Sequence, residues 1–170
     1  MLVSDSWYAF LEEVADLLEN GSVLQMRNIP HHIGCTCFEH SMFVGYLAFR
    51  TARRWGLDYR AAARGGLLHD LYLYDAEERA RLPGNHYLEH PAIALKNAEQ
   101  VTELTEKERD IIISHMWPIG RARPRSPEAA IVNCVDKYCA TAEALGIWRR
   151  MKVCKFEVRG RLATLRSAQN

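Results

Sequence analysis

Long apolar runs are missing from this sequence: nowhere do roughly 18 apolar residues follow one another, the length a helix needs to cross a bilayer, so a membrane-spanning helix is excluded. Charge of one sign is also missing. Lys and Arg number 22 against 21 Asp and Glu, a net charge of +1, and no global electrostatic footprint points to nucleic acid or a membrane surface. Paired cysteines are absent as well. The five cysteines are odd in number and form no CxxC, which argues against a disulfide framework. Cys35 and Cys37 make a lone CxC, and Cys134 and Cys139 lie further on, so reduced and mostly buried thiols are expected, as in a cytoplasmic protein. The opening MLVSDSWYAFLEEV is broken early by acidic residues, unlike a secretory leader. No strand–helix alternation, repeat, low-complexity tract or linker occurs, which leaves a parallel sheet without support.

Helical periodicity is what the chain does have. Trp7, Phe10, Leu11, Val14, Leu17 and Leu18 recur at three- and four-residue steps, with Gly21 as a stop. Residues 26–38 contain Pro30, Gly34, two histidines and two cysteines without a period and read as a loop. A second helix is expected from Glu39 to Trp55, with Val44, Leu47, Ala48 and Trp55 on one face. Asp58 caps a third, running to about Tyr72. Gly65 and Gly66 inside it cost about 1 kcal/mol each relative to alanine, so they predict close backbone approach to a neighbour. Residues 75–89 read as a loop, and His90-Pro91 opens a helix through Gln100. Thr105 and Glu108 form a capping box for a helix ending at His115. Ser126-Pro127 caps a long helix from Glu128 to Leu145, stopped by Gly146. The tail from Trp148 is basic and partly helical, with residues 155–158 as an alternative short strand. The 170 residues suit a single domain, 1–170, with its core at about 38–145: an all-α bundle of about six to eight helices.

Chemistry concentrates in a few positions. Seven histidines are present, and four have telling settings. His40 begins a helix, His69 is followed at once by Asp70, His90 precedes a proline, and His115 lies near a helix end. Asp70 sits among Leu67, Leu68, Leu71 and Leu73, and Asp136 lies in the apolar stretch IVNCVDKYC. An unpaired carboxylate in such surroundings is costly. No lysine or arginine lies one helical turn from Asp70, and Arg64 is nearly two turns back, so a metal cation is the economical partner. Imidazole with carboxylate suits iron, manganese or zinc better than calcium. Neighbours on a helix diverge by about 100°, so His69 and Asp70 reach one centre only if it lies between them, or if Asp70 bridges two ions. The competing readings are satisfied polar groups in the core, a cap and a surface residue for His90 and His115, and His86 as ligand in place of His90. His31 and His32 are loop residues or pocket-lining ones. The basic loop of Arg121, Arg123 and Arg125 is solvated or binds phosphate.

His40, His69-Asp70 and Asp136, each on its own helix, form an H…HD…D pattern. With Gly66-Leu67-Leu68 before the pair and Glu39-His40-Ser41 at the opening, the chain resembles the HD superfamily of metal-dependent phosphohydrolases over about residues 38–145. His90-Pro91 and Ser114-His115 fall where binuclear members place extra histidines, a subgroup that includes bacterial diadenosine tetraphosphate hydrolases and cyclic-dinucleotide phosphodiesterases. The resemblance implies two divalent metal ions, iron or manganese before zinc, nickel or magnesium. It places His40, His69, Asp70 and Asp136 on the first ion and His90, His115 and a bridging Asp70 on the second, with a bridging hydroxide as nucleophile and Asp70 as the residue on which catalysis turns. Many hydrolase members carry a lysine three or four residues after the HD pair. Here Leu73 and Tyr74 stand there, and Lys137, Arg121, Arg123 or Arg125 are the candidates for its role, with His32 a further candidate for substrate contact. The expected partner is a small anionic substrate, a nucleotide. Nucleic acid and membrane are not expected, and exposed apolar positions near the C-terminal helix would permit a homodimer. The superfamily also contains di-iron oxygenases, and a non-catalytic nucleotide sensor is the third reading.

Overall fold

The computed structural model describes residues 3–31, 35–74 and 85–145. Among these the protein is all-α, with eight α-helices, one 3-10 turn at Met26–Asn28 and a lone antiparallel bridge between Pro30 and Thr36. In chain order the helices are α1 (Val3–Glu13), α2 (Ala15–Leu18), α3 (Gly21–Gln25), α4 (Cys37–Arg54), α5 (Tyr59–Leu68), α6 (His86–Val101), α7 (Glu106–Ser114) and α8 (Pro127–Ala144).

Side-chain caps decide most of these starts. Asp58 accepts from Ala61 N at 3.0 Å, Thr105 and Glu108 close the expected capping box, and Ser126 accepts from Ala129 N at 3.2 Å with Pro127 behind it. A second box, Thr36 with Glu39, starts α4 two residues before the expected Glu39. The expected single first helix breaks at Val14 (φ −118°, ψ 10°), and Gly21 is no stop: Asn20 caps α3, and Gly21 is its first residue. Trp55, expected on the buried face of α4, is 64% exposed.

Two departures bear on function. The third helix does not run to Tyr72; α5 ends at Leu68, His69 is its C-cap, and Asp70 lies in the turn beyond. Helix α6 begins at His86, a turn before the expected start, so Pro91 sits inside it and deletes one hydrogen bond from the ladder. The expected loop at 75–84, the stop at Gly146 and the tail with its alternative strand lie outside the described residues.

Helices α4 and α5 pair at the centre, and Gly45 and Gly66 are the seam. A methyl on Gly66 would stand 2.8 Å from Gly45 Cα, and one on Gly65 2.8 Å from Ile111 Cγ2, which is the close approach the glycine pair predicts. On one side of this pair Trp7, Phe10, Phe49, Leu67 and Leu71 pack with α1 to α3 and α6. On the other, Phe43, Val44, Ala62, Ile111 and Val132 pack with α7 and α8. Buried Arg64 ties α5 to Asp16 at 2.6 Å and to Glu108 of α7 at 3.0 Å, so it is committed away from Asp70. Cys35, Cys37 and Cys139 are buried free thiols and Cys134 is an exposed one. Among the described residues no helix is long and apolar enough to cross a membrane.

Candidate metal centre

Five elements deliver side chains to one interior point. The Thr36–Glu39 box places His40 in the first turn of α4. The end of α5 delivers His69 and Asp70, α6 delivers His90, the end of α7 delivers His115, and Asp136 comes from mid-α8. All six are buried, none more than 8% exposed. The turn holding Asp70 is fixed from both sides: the Cys37 thiol donates to Asp70 O at 3.2 Å, and Asn97 of α6 donates to Leu71 O at 2.8 Å.

The six fall into two touching groups. His40 Nε2 and His69 Nε2 lie 3.1 and 3.6 Å from Asp136 Oδ1. His90 Nε2 and His115 Nε2 lie 3.3 and 3.4 Å from Asp70 Oδ1, and 2.8 Å from each other. Asp70 joins the groups, because its other oxygen, Oδ2, is 3.5 Å from His69 Nε2. In each of the trios His40–His69–Asp136 and Asp70–His90–His115 the donor atoms lie within 4.8 Å of one another.

The donor set fits metal ions. His69 Nδ1 donates to Gly66 O and His115 Nδ1 to Ile112 O, both at 2.7 Å. A carbonyl can only accept, so the ring proton of each neutral imidazole faces outward and its Nε2 lone pair faces the centre. His69 Nε2 and Asp70 Oδ1 are buried without a hydrogen-bond partner. Burial holds His115 below the ordinary histidine range despite the neighbouring Asp70, so a neutral ring presents its lone pair to His90 and to a carboxylate. Imidazole nitrogens and carboxylate oxygens converging on one interior point form a donor set that suits a cation.

Electrostatics in the first group point the same way. Burial opposes charge on His40, but Asp136 and Glu143 flank its two nitrogens and push it up to about 10. Burial likewise opposes charge on Asp70, and His69, His115 and His90 around it hold its carboxyl well below the usual carboxylate range. The carboxylates of Asp136 and Glu143 on either side of the His40 ring, with Asp70 beyond, concentrate negative charge that a bound cation would balance.

Two further residues contribute: Glu143, which sequence reasoning missed, and His31, which it left open between a loop and a pocket-lining role. Glu143 accepts from His40 Nδ1 at 3.1 Å, orienting the ring from the side away from Asp136. It lies two helical turns after Asp136 on the same face of α8, a spacing that could have revealed it. Two other acids near the ligands in sequence do not take this role: Glu39 closes the α4 capping box and Glu89 is exposed. His31 is the other. Its ring stacks on His40 at 4.4 Å, its Nε2 is 3.6 Å from Asp70 Oδ2, and its Nδ1 meets Tyr72 Oη at 3.0 Å. His32 and the His86 side chain lie outside the described residues.

The remaining candidates are spread out. Lys137 is half-buried beside Asp136 and donates to His115 O at 3.1 Å. Arg121 and Arg123 are exposed and line a cavity to which none of the six ligand candidates contributes.

The sequence model of the HD domain family matches residues 37–141, well over half of the chain. No curated protein matches it. Among solved structures, the HD domain of the L. monocytogenes phosphodiesterase PgpH is similar at a TM-score of 0.48 and 14% identity, over 91% of this chain and 85% of that one.

Proposed function

The chain belongs to the HD domain family, and from its site we propose that it is a metal-dependent phosphohydrolase with a binuclear centre, cleaving a phosphoester or phosphoanhydride of a small anionic substrate. One observation carries the reading: the two oxygens of Asp70 face two separate imidazole groups, His90 with His115 and His69 with its partner Asp136. His40, His69, Asp70 and Asp136 would hold one ion, and Asp70, His90 and His115 the other. When bound, such ions lower the pKa of water toward neutrality and neutralise charge on phosphate oxygens.

The chain's own residues do the rest. Ring protons turned outward onto Gly66 O and Ile112 O keep His69 and His115 in the ligating tautomer. Glu143 does the same for His40. The hydrophobic shell of Leu67, Leu68 and Leu71 excludes bulk water from one side and strengthens every charge–dipole interaction inside. His31, with its side chain 14% exposed, stands on the rim, pinned by Tyr72 and by its own backbone bond to Cys35 O. It is placed to hydrogen-bond a phosphoryl oxygen or leaving group. Lys137 brings a cation to the edge formed by Asp136 and His115.

We place the protein with the binuclear members resembling diadenosine tetraphosphate hydrolases, with a nucleotide as substrate and iron or manganese as metal. The test is a panel of nucleotides, dinucleotide polyphosphates and simple phosphoesters, run on protein loaded with manganese or iron, beside Asp70→Ala. The expected result is phosphate or nucleotide release that vanishes in the variant together with its metal. Turnover surviving in metal-free Asp70→Ala, or oxygen uptake without phosphate release, would overturn the reading.

A further inference from the structure

A cavity of roughly 660 Å³ lies under the loop between α7 and α8. It is on the far side of α7 from the metal centre. Glu106, Asp110 and Ile113, one face of that helix, line it, whereas Glu108, Ile111, Ile112 and His115 are buried on the opposite face. Arg121, Arg123 and Arg125 supply its outer wall, alternating with Ala122 and Pro124 along an extended segment.

The loop is built, not merely basic. The Asp110 carboxylate accepts from Arg125 N at 3.0 Å, from Ser126 N at 2.8 Å and from the Ser126 hydroxyl at 2.8 Å. Asp110 is thus saturated by backbone and hydroxyl and does not neutralise an arginine side chain. The other cations lining the cavity are already paired, Lys107 with Glu128 at 2.9 Å and Arg109 with Glu99. Arg121, Arg123 and Arg125 have no ion-pair partner among the described residues. Glu106 and Asp110 also line the cavity, but the three guanidinium groups outnumber them, and their planar donor sets match phosphate oxygens.

We propose that this cavity is a second anion site, which takes the oligophosphate chain of a small molecule independently of the metal centre. Its volume falls in the range of about 300–1,000 Å³ common for small-molecule sites. No aromatic side chain lines it, so recognition falls on phosphates rather than on a stacked base. Its concave form suits a compact ligand better than a duplex backbone.

Calorimetric titration of the full chain with inorganic tripolyphosphate at low salt tests this. Asp70→Ala is used to remove phosphate binding at the metal centre, beside wild type stripped of metal by a chelator, which serves if Asp70→Ala fails to fold. One tripolyphosphate per chain should bind in each. Each of Arg121→Ser, Arg123→Ser and Arg125→Ser, added to that background, should weaken it roughly tenfold. These positions are exposed, and an unchanged melting temperature will show that the fold survives. Loss of binding when the metal centre alone is removed would overturn the proposal, as would unchanged binding in the triple arginine variant. Tighter binding of a short DNA or RNA duplex than of tripolyphosphate would assign the surface to nucleic acid instead.

Discussion

Glu143 is a carboxylate with both oxygens within 3.2 Å of one ring nitrogen, His40 Nδ1, and its side chain is fully buried. Such acceptors orient a ligating imidazole and raise its basicity, and their loss commonly costs ten- to hundredfold in metal affinity. Glu143→Ala should therefore weaken the His40 ion by about 10–100-fold, measured by competition with a chelating dye, while Glu143→Gln, which keeps an acceptor, should lose less. Unchanged affinity in the alanine variant would contradict the role. At this scale the sequence was most readable where chemistry is anomalous. Asp70 and Asp136 stand among apolar residues, and a carboxylate there demands a partner. His31 carried no such signal, because a histidine in an aperiodic loop has no face, and its place beside the centre follows the bridge between Pro30 and Thr36. Lys137 of α8 reaches the His115 carbonyl, a contact that only the folded chain makes.

Among the elements, the α4–α5 pair is the scaffold, and its glycine seam sets how closely the two helices approach. Gly66→Ala would drive a methyl to 2.8 Å from Gly45 Cα. Overpacking of this kind costs about 1–3 kcal/mol, and the melting temperature should fall by roughly 3–10 °C for a domain this size. Because His69 and Asp70 follow directly from the C-terminal end of this helix, metal affinity should fall with it. An unchanged melting temperature would show that the pair separates freely.

Glu128 ties three elements together: its carboxylate accepts from Asp58 N at 2.9 Å before α5 and from Lys107 of α7 at 2.9 Å. Burial works against its charge, but the Lys107 ammonium and the Asp58 amide outweigh that and hold its carboxyl below the ordinary value of 4.5. A group whose folded value is depressed stabilises above its unfolded pKa and loses that contribution as pH falls toward the folded value. Melting temperature should thus decline as pH drops below about 4.5, with a shallower decline in Glu128→Gln; identical slopes in the two proteins would contradict the assignment. Element boundaries were only partly readable. Caps such as Asp58, Thr105 and Ser126 announce themselves. The end of α5 at Leu68 does not, because Leu71 and Tyr72 continue the apolar pattern while their backbone has already left the helix. The start of α6 was hidden by Pro91, which reads as a first-turn residue but is carried inside the helix.

For the molecule as a whole, the centre exists only because residues up to 103 positions apart meet. The bundle can be inferred from periodicity, and the expected ligand set is what the resemblance to the HD superfamily implies. Asp70 as a bridge was likewise expected, but which of its oxygens faces which histidine group depends on where α5 stops and how α6 and α7 approach it. This division of one carboxylate between two ions is the central claim. Metal content per chain, measured by inductively coupled plasma mass spectrometry on protein purified without added metal and beside His90→Ala, tests it most directly. The account predicts close to two ions per chain, falling toward one in the variant as the Asp70–His90–His115 group is broken. The same single ion in both proteins would contradict it, leaving His90 outside the ligand set and the centre mononuclear.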